Sequence, residues 1–164
     1  MARTAKKSPR SLDAFDRAIL RILQEDNKKP QRSISEQVNL SAASVQRRIS
    51  AMEDDGIIAR NVAEVDRDAL GLTITSVVEV NLVNEQSATV DAAKALFKAT
   101  PEVQQCYYVT GGLSFVLVLV TTDMRAYEVL VRRLFGENAH IASYRSLIAL
   151  DRVKMGMGVI VPDA

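Results

Sequence analysis

A very short link between two amphipathic segments is the feature that most restricts the fold of this chain. Asn39 can end a helix in the left-handed conformation, and Ser41 can begin the next helix by accepting a hydrogen bond from its first turn. Only Leu40 lies between them, which leaves room for nothing but a tight turn. The sequence therefore predicts a helix-turn-helix, a recurring DNA-binding motif.

The helix after Ser41 is predicted to run to about Asp55 and to have two unlike faces. At about 100° per residue, Val45, Ile49 and Met52 fall together and should face the other helices. The opposite face carries small side chains around one arginine: Ala43, Ser44, Arg47, Ser50 and Ala51, with Arg48 on its rim and Gln46 beside it. Small residues let a helix approach base edges in a major groove. This face predicts DNA contact, and a merely solvated surface is the alternative.

Two further helices and a strand are predicted around this motif. The first helix runs from Leu12 to Glu25, begins at Asp13, and has one apolar face made of Phe15, Ile19, Ile22 and Leu23. The second has two competing start signals, Pro30 and a capping box from Ser33 to Glu36. After Gly56, residues 57–58 and 62–65 predict a strand, which would complete a winged helix-turn-helix.

Charge is distributed unevenly along the chain. Residues 1–60 hold twelve Lys/Arg against eight Asp/Glu, a net charge of +4, whereas residues 61–164 have a net charge of −3. A basic arm (Arg3, Lys6, Lys7 and Arg10) and two turn lysines predict sequence-independent contacts to phosphates. The predicted DNA-contacting residues are Lys28, Lys29, Ser41, Ser44, Gln46, Arg47 and Arg48.

The last ninety residues predict the order strand–helix–strand–strand–helix–strand. The pieces are a strand carrying Ile74, Val78, Val80 and Leu82, a helix at 87–100, strands at 103–109 and 114–121, a helix from Asp123, and a strand at 143–153. This is the order of a ferredoxin-like βαββαβ domain, with both helices on one face of the sheet. Because residues 115–120 are apolar on both faces, a second copy is expected to cover the open face, as a homodimer.

The predicted fold class is thus α+β, with four parts. They are a flexible basic arm at 1–10, a helix-turn-helix domain at 11–60, a linker strand and turn at 61–72, and a ferredoxin-like effector-binding and oligomerisation domain at 73–164. A lone cysteine, Cys106, favours a reducing compartment, so the cytoplasm is expected. With one histidine, His140, no Cys/His metal cluster can form, and neither a cofactor nor a membrane partner is expected.

This layout resembles the leucine-responsive regulator/AsnC (Lrp/AsnC, feast–famine) family of prokaryotic transcription regulators. The resemblance covers about Leu12 to Lys154 and rests on short pieces in a fixed order: Leu12-Asp13, Asp16, Ile19-Leu20, Leu40-Ser41, Val45, Arg48, Met52-Glu53, Gly56-Ile57-Ile58, Val65-Asp66, Leu70-Gly71 and Val109-Thr110-Gly111. It implies dimers built on the C-terminal domain, assembly into octamers around which DNA wraps, and amino-acid effectors bound between dimers.

The resemblance also implies a place for the effector. Carried over by position, the pocket involves Gly111, Gly112, Leu113, Ser114, Met124, Leu147, Ile148 and Ala149. Many members have an aspartate where this chain has Ser114, and that carboxylate would suit the ammonium group of an effector. Members also commonly have basic residues at the positions of Ser50 and Ala51, so the DNA sequence that is recognised is left open.

Three functions remain open on the sequence alone. The first is a sequence-specific DNA-binding regulator of transcription that responds to a small effector. The second, again by resemblance, is a sirohaem-type decarboxylase, which shares this two-part architecture and would use histidine and arginine around a tetrapyrrole. The presence of one histidine argues against it. The third is a sensor whose helical part binds only protein.

Overall fold

The computed structural model describes residues 10–163, which divide into two compact units. Residues 10–64 and 155–163 form the helical unit, and residues 65–154 form the sheet unit. Arg3, Lys6 and Lys7 of the predicted basic arm lie outside the described residues. Within the described part, no helix is both long enough and apolar enough to cross a bilayer.

Within residues 10–64, three helices form the helical unit: α1 (Ala14–Glu25), α2 (Gln31–Val38) and α3 (Ala42–Asp54). Asp13 caps α1 by accepting a hydrogen bond from the backbone amide of Asp16, and Ser41 caps α3 in the same way. Asn39 ends α2 with a left-handed φ of 52°. These local signals confirm the predicted helix-turn-helix.

The core of the helical unit is a small apolar cluster enclosed by the three helices. Its buried members are Ile19, Ile34, Val38, Val45 and Met52. Ile49 packs at its edge, so the predicted inward face of α3 is confirmed. Phe15 is an exception on α1, since its side chain is 42% exposed and lies under the guanidinium of Arg48, 5.5 Å from the ring centroid.

The structure decides one open alternative in this unit and contradicts one prediction. Because α2 begins at Gln31, directly after Pro30, the Pro30 start signal is confirmed, and Ser33 lies inside the helix and cannot cap it. No strand forms over residues 57–65. The amides of residues 57 and 58 both donate to the carbonyl of Met52, and the two isoleucines pack on the helical core. Among residues 10–163, no strand lies beside Val62 and Val65 to pair with them, and their side chains are more than half exposed.

The last described residues belong to the helical unit and lie along α1. Arg17 and Arg21 donate to backbone carbonyls of residues 161–162, at 2.8 and 2.9 Å. Gln24 binds the backbone of Val159 in both directions, at 3.0 and 2.7 Å. The three side chains share one face because they are spaced by four and three residues along the helix. No sequence signal predicted this contact.

The sheet unit has the elements β1 (Ile74–Leu82), α4 (Ser87–Ala99), β2 (Val103–Tyr108), β3 (Phe115–Thr121), α5 (Met124–Val131) and β4 (Ile141–Ile148). The strands form one antiparallel sheet in the order β2-β3-β1-β4. Since β3 lies between the first two strands of the chain, this is the split arrangement of a ferredoxin-like domain, as predicted.

One face of this sheet packs against the helices. Its core includes Val78, Val80, Leu82, Phe97, Phe115, Leu117, Leu119, Leu130, Leu134 and Phe135. The last two lie in a wide π-helical turn, Arg132–Gly136, that continues α5. The final strand is shorter than predicted and ends at Ile148. The amide of Ala149 still donates to the carbonyl of Thr75, but β1 begins at Ile74, so the following residues have no strand partner.

Candidate DNA-binding and effector-binding sites

The outer face of α3 contains an arginine that forms no ion pair within the described residues. Arg47 is exposed, and no carboxylate within residues 10–163 lies in ion-pair distance of it. On the same face, the amide of Gln46 donates to the hydroxyl of Ser50 at 3.3 Å. Ala43, Ser50 and Ala51 beside it are small residues, and they leave the exposed side chain of Arg47 accessible.

Four other predicted DNA-contacting residues lie at the start of α3 and in the turn between α1 and α2. The hydroxyl of Ser41 accepts from the amide of Ser44 at 3.2 Å, and the two hydroxyls are 2.9 Å apart. Lys28 is exposed in the turn after α1, where its amide donates to Asp26, and Lys29 is half-buried beside it. Ser41 and Ser44 therefore set the start of α3, and both remain close to solvent at its N-terminal end.

Arg48 does not share this exposure. Its Nη1 donates to Asp13 at 2.8 Å and to Asp16 at 2.7 Å, and its side chain is only 19% exposed. Asp16, itself 1% exposed, also accepts from Arg10 at 2.8 Å. These hydrogen bonds, that of Asp16 first, raise the pKa of Arg48 above its ordinary value. The structure thus places Arg48 between α1 and α3, contrary to its predicted place on the DNA-facing rim.

The predicted effector residues fall into two groups at opposite ends of the sheet. The turn of residues 111–114 adjoins Val80, whose carbonyl accepts from the amide of Ser114. Residues 147–149 adjoin the other end of β1, where Ile148 pairs with Ser76. Met124 follows β3, which ends beside Ile74 at that same end of β1. Ser76 and Val80 are about 13 Å apart along β1. One chain therefore does not bring the two groups together.

The turn that contains the first group depends on its glycines. Gly111 and Gly112 have φ values of 99° and 91°, a region that disfavours side chains. The amide of Val109 donates to the carbonyl of Ser114 at 3.1 Å and closes the turn. Beside it is an open depression of about 380 Å³, lined by Asn81, Leu82, Glu85, Tyr108, Val109, Gly112, Leu113 and Ser114.

Glu85 is the residue of this depression that the sequence did not reveal. The hydroxyl of Ser114 donates to one of its carboxylate oxygens at 2.5 Å, and that of Tyr108 donates to the other at 2.7 Å. These two hydrogen bonds, the one from Ser114 first, lower the pKa of Glu85 below its usual value. Glu85 follows β1 directly, and only knowledge of the strand order could have placed it beside the turn.

The face of the sheet that carries no helices is largely apolar. Val77 on β1 lies between Val118 on β3 and Leu147 on β4. The Leu147 side chain is 48% exposed. The ion pair between Glu79 and Arg145, at 2.7 Å, lies in the next row. A sheet face with this many apolar side chains is typical of a surface that packs against another protein.

Two family models match the chain. A winged helix-turn-helix DNA-binding model matches residues 12–59, and the Lrp/AsnC ligand-binding domain model matches residues 75–159. The first covers the three helices, and the second covers the sheet from Thr75 onwards.

Related proteins are named as regulators of transcription. An uncharacterised HTH-type transcriptional regulator of Haemophilus influenzae is 36% identical over 151 residues, which cover 92% of this chain and 90% of that protein. The proline dehydrogenase transcriptional activator of Rhodobacter capsulatus is 30% identical over 142 residues, 87% of this chain and 92% of its own.

Solved structures show the same fold. An AsnC family regulator from Agrobacterium tumefaciens matches with a TM-score of 0.86 at 29% identity, and covers 92% of this chain and 97% of its own. A regulator from Neisseria meningitidis, determined as an L-Met complex, matches with a TM-score of 0.87 at 25% identity and the same coverage. The chain belongs to the Lrp/AsnC family of transcription regulators, with a DNA-binding helix-turn-helix ahead of a ligand-binding domain.

Proposed function

We propose that this regulator acts in the cytoplasm as a homodimer that binds double-stranded DNA through α3, and that an amino acid or related metabolite modulates this binding. The observation that carries the DNA role is the contrast on α3 itself. Arg47 is exposed without an acidic partner in the described chain, whereas Arg48 is neutralised by Asp13 and Asp16. A cation without an internal partner is available to a base edge or a phosphate.

The open face of the sheet supports the homodimer. Val77, Val116, Val118 and Leu147 form adjacent rows on that face, and a second copy of the same face would cover them. A twofold dimer would also present two α3 helices to successive major grooves, about one helical turn or a multiple of it apart. The further assembly of dimers into an octamer is proposed from the family resemblance.

A second copy also offers an effector site that one chain lacks. The predicted groups at residues 111–114 and at 147–149 lie at opposite ends of one sheet, so only different copies could place them around one molecule. We propose that the effector binds where such copies meet. The L-Met complex of the Neisseria meningitidis regulator supports a ligand of amino-acid size. The decarboxylase alternative is not proposed, because the relatives are regulators.

Gel-shift titration of Arg47→Ala at fixed salt tests the DNA role. Loss of an arginine that contacts a base is expected to weaken binding by about 1–3 kcal/mol, or roughly 5- to 150-fold. The matched control is Arg132→Ala, which removes the same charge from an exposed ion pair with Glu128 in the sheet unit. The proposal is wrong if Arg47→Ala binds as tightly as the unmodified protein, or if the control weakens binding equally.

A further inference from the structure

We infer that the carboxylate of Glu85 is the group that binds the ammonium of the effector, an inference that rests on the proposed effector function. Glu85 lines the depression beside the turn of residues 111–114. Both of its oxygens are held in place by hydroxyl donors, from Ser114 and Tyr108. The ligand class is therefore a compact molecule with a primary ammonium group.

The orientation of the Ser114 hydroxyl is determined by its two partners. Its oxygen accepts from the backbone amide of Leu82 at 3.0 Å, so its one hydrogen is free to go to Glu85. The hydroxyl of Tyr108 likewise donates to Glu85. Both donors stabilise the charged form of the carboxylate, and each oxygen keeps a lone pair for a further donor.

Glu85 has no cationic partner in the part of the chain that the structure describes. Among residues 10–163, no lysine or arginine forms an ion pair with it. The ammonium of Lys94, on the neighbouring helix, lies over the ring of Tyr108, 4.7 Å from its centroid, and is engaged there. A carboxylate that is fixed by two hydroxyls and lacks a countercharge is pre-organised for a ligand that supplies three N–H donors.

Other residues around the depression suit the rest of an amino acid. The backbone amides of Gly112 and Leu113 donate to no acceptor within the described chain, so they are available to a carboxylate. Leu82, Val109 and Leu113 contribute apolar lining. This depression thus combines a carboxylate, free amides and apolar side chains, which together match a zwitterion with an apolar side chain.

Thermal-shift measurements on the full-length protein test the inference. The probes are the twenty common L-amino acids and their N-acetyl derivatives, which lack the ammonium. At least one amino acid is expected to raise the Tm, and its N-acetyl derivative is not. The Kd of that amino acid, from calorimetry, should rise at least about tenfold in Glu85→Gln, as expected for loss of a charge-assisted hydrogen bond. Glu85→Asp should recover part of the affinity because it keeps the charge.

The control is Glu137→Gln, which removes one exposed carboxylate elsewhere in the same unit and should leave the Kd unchanged. A Glu85→Gln protein that binds the amino acid normally would overturn the inference, and so would an unmodified protein that responds to no amino acid or responds equally to the N-acetyl form. DNA binding is measured separately by gel shift. If Glu85→Gln still binds DNA while its ligand response is lost, the regulator function and the ligand site are shown to be distinct.

Discussion

Arg48 in the helical unit and Glu85 in the sheet unit are both held by hydrogen bonds, but their partners differ in charge. In the helical unit, Arg48 contacts two carboxylates at 2.8 Å or less, and Asp16 receives a second arginine. In the sheet unit, Glu85 receives only neutral hydroxyl donors. A charge that is balanced within the chain contributes to the fold, whereas a charge that is oriented but unbalanced is available to a partner. The net charge of the groups around an ionised side chain therefore says more about its role than the number of hydrogen bonds that they donate.

The same contrast extends to apolar surface. The helical core is enclosed by its own three helices, by Ile57 and Ile58, and by the residues packed around them. The sheet unit covers one face with α4 and α5 and leaves Val118 and Leu147 on the other face partly exposed. Glu85, which is held by hydroxyls without a countercharge among residues 10–163, and the uncovered apolar face are therefore both in the unit that the family model identifies as ligand-binding.

The largest expected effect is on the balanced charges. Asp16→Ala leaves Arg48 with one carboxylate and Arg10 with none, and removing one partner from a buried ion pair costs about 3–5 kcal/mol. Hydrogen exchange of the α1 and α3 amides, which reports on the helical unit alone, should show this loss in free energy of opening. Glu36→Ala is the control, because its pair with Arg32 is exposed on both sides and is expected to contribute under about 1 kcal/mol.

Glu85→Gln gives the contrasting test. Its partners Ser114 and Tyr108 are neutral, so the substitution leaves no cation without a countercharge. Amide exchange in β1 and β3 should stay close to that of the unmodified protein, because the hydrogen bonds of an exposed carboxylate contribute little to stability. The comparison fails if Asp16→Ala leaves α1 and α3 as protected as before, or if Glu85→Gln destabilises its unit as strongly as Asp16→Ala destabilises the helical unit.

These contrasts explain which features the sequence could predict. The helix caps involve residues at most three or four positions apart, so Asp13, Asn39 and Ser41 were readable from local patterns. The contacts of Arg48 with Asp16 and of Ser114 with Glu85 span 32 and 29 residues. Their existence depends on helix packing and strand order, which local periodicity does not encode. Arg47 and Arg48 are adjacent residues of the same type, so only packing distinguishes their roles.

The strands show the same limit. Alternation predicted β3 and its two apolar faces, because that signal lies within seven residues. The valines at 62 and 65 gave a similar local signal, but a strand also needs a neighbour to accept its hydrogen bonds, and none is present there. The two groups of predicted effector residues were carried over by position, and position in the chain does not tell which end of a sheet a residue occupies.

The second-largest expected effect is on dimer formation through the open apolar face of the sheet. Val118→Arg places a charge in the middle of the surface proposed to join two copies, and burying an unpaired charge there costs several kcal/mol. Light scattering after gel filtration should show a monomer at concentrations where the unmodified protein is a dimer. Val129→Arg adds the same charge to an exposed position on α5 and should leave the mass unchanged. A dimeric Val118→Arg protein would show that copies associate through another surface.

The smallest expected effect is on the pH dependence of ligand binding, and it follows from the hydroxyl donors on Glu85. Since Ser114 and Tyr108 lower the pKa of this carboxyl below its ordinary value of 4.5, it stays ionised as the pH falls from 7 to 5. The pKa of Tyr108 is raised because it donates to Glu85, so its hydroxyl stays protonated over the same range. The Kd of the amino acid found by thermal shift should change less than about twofold between pH 7 and pH 5, and affinity should fall only as the pH drops below the lowered pKa.

Ser114→Ala removes the main cause of the lowered pKa of Glu85, so its loss of affinity should begin at a higher pH. Calorimetry at three pH values measures both curves, and identical curves for the two proteins would show that the Ser114 hydroxyl does not control the charge on which binding depends.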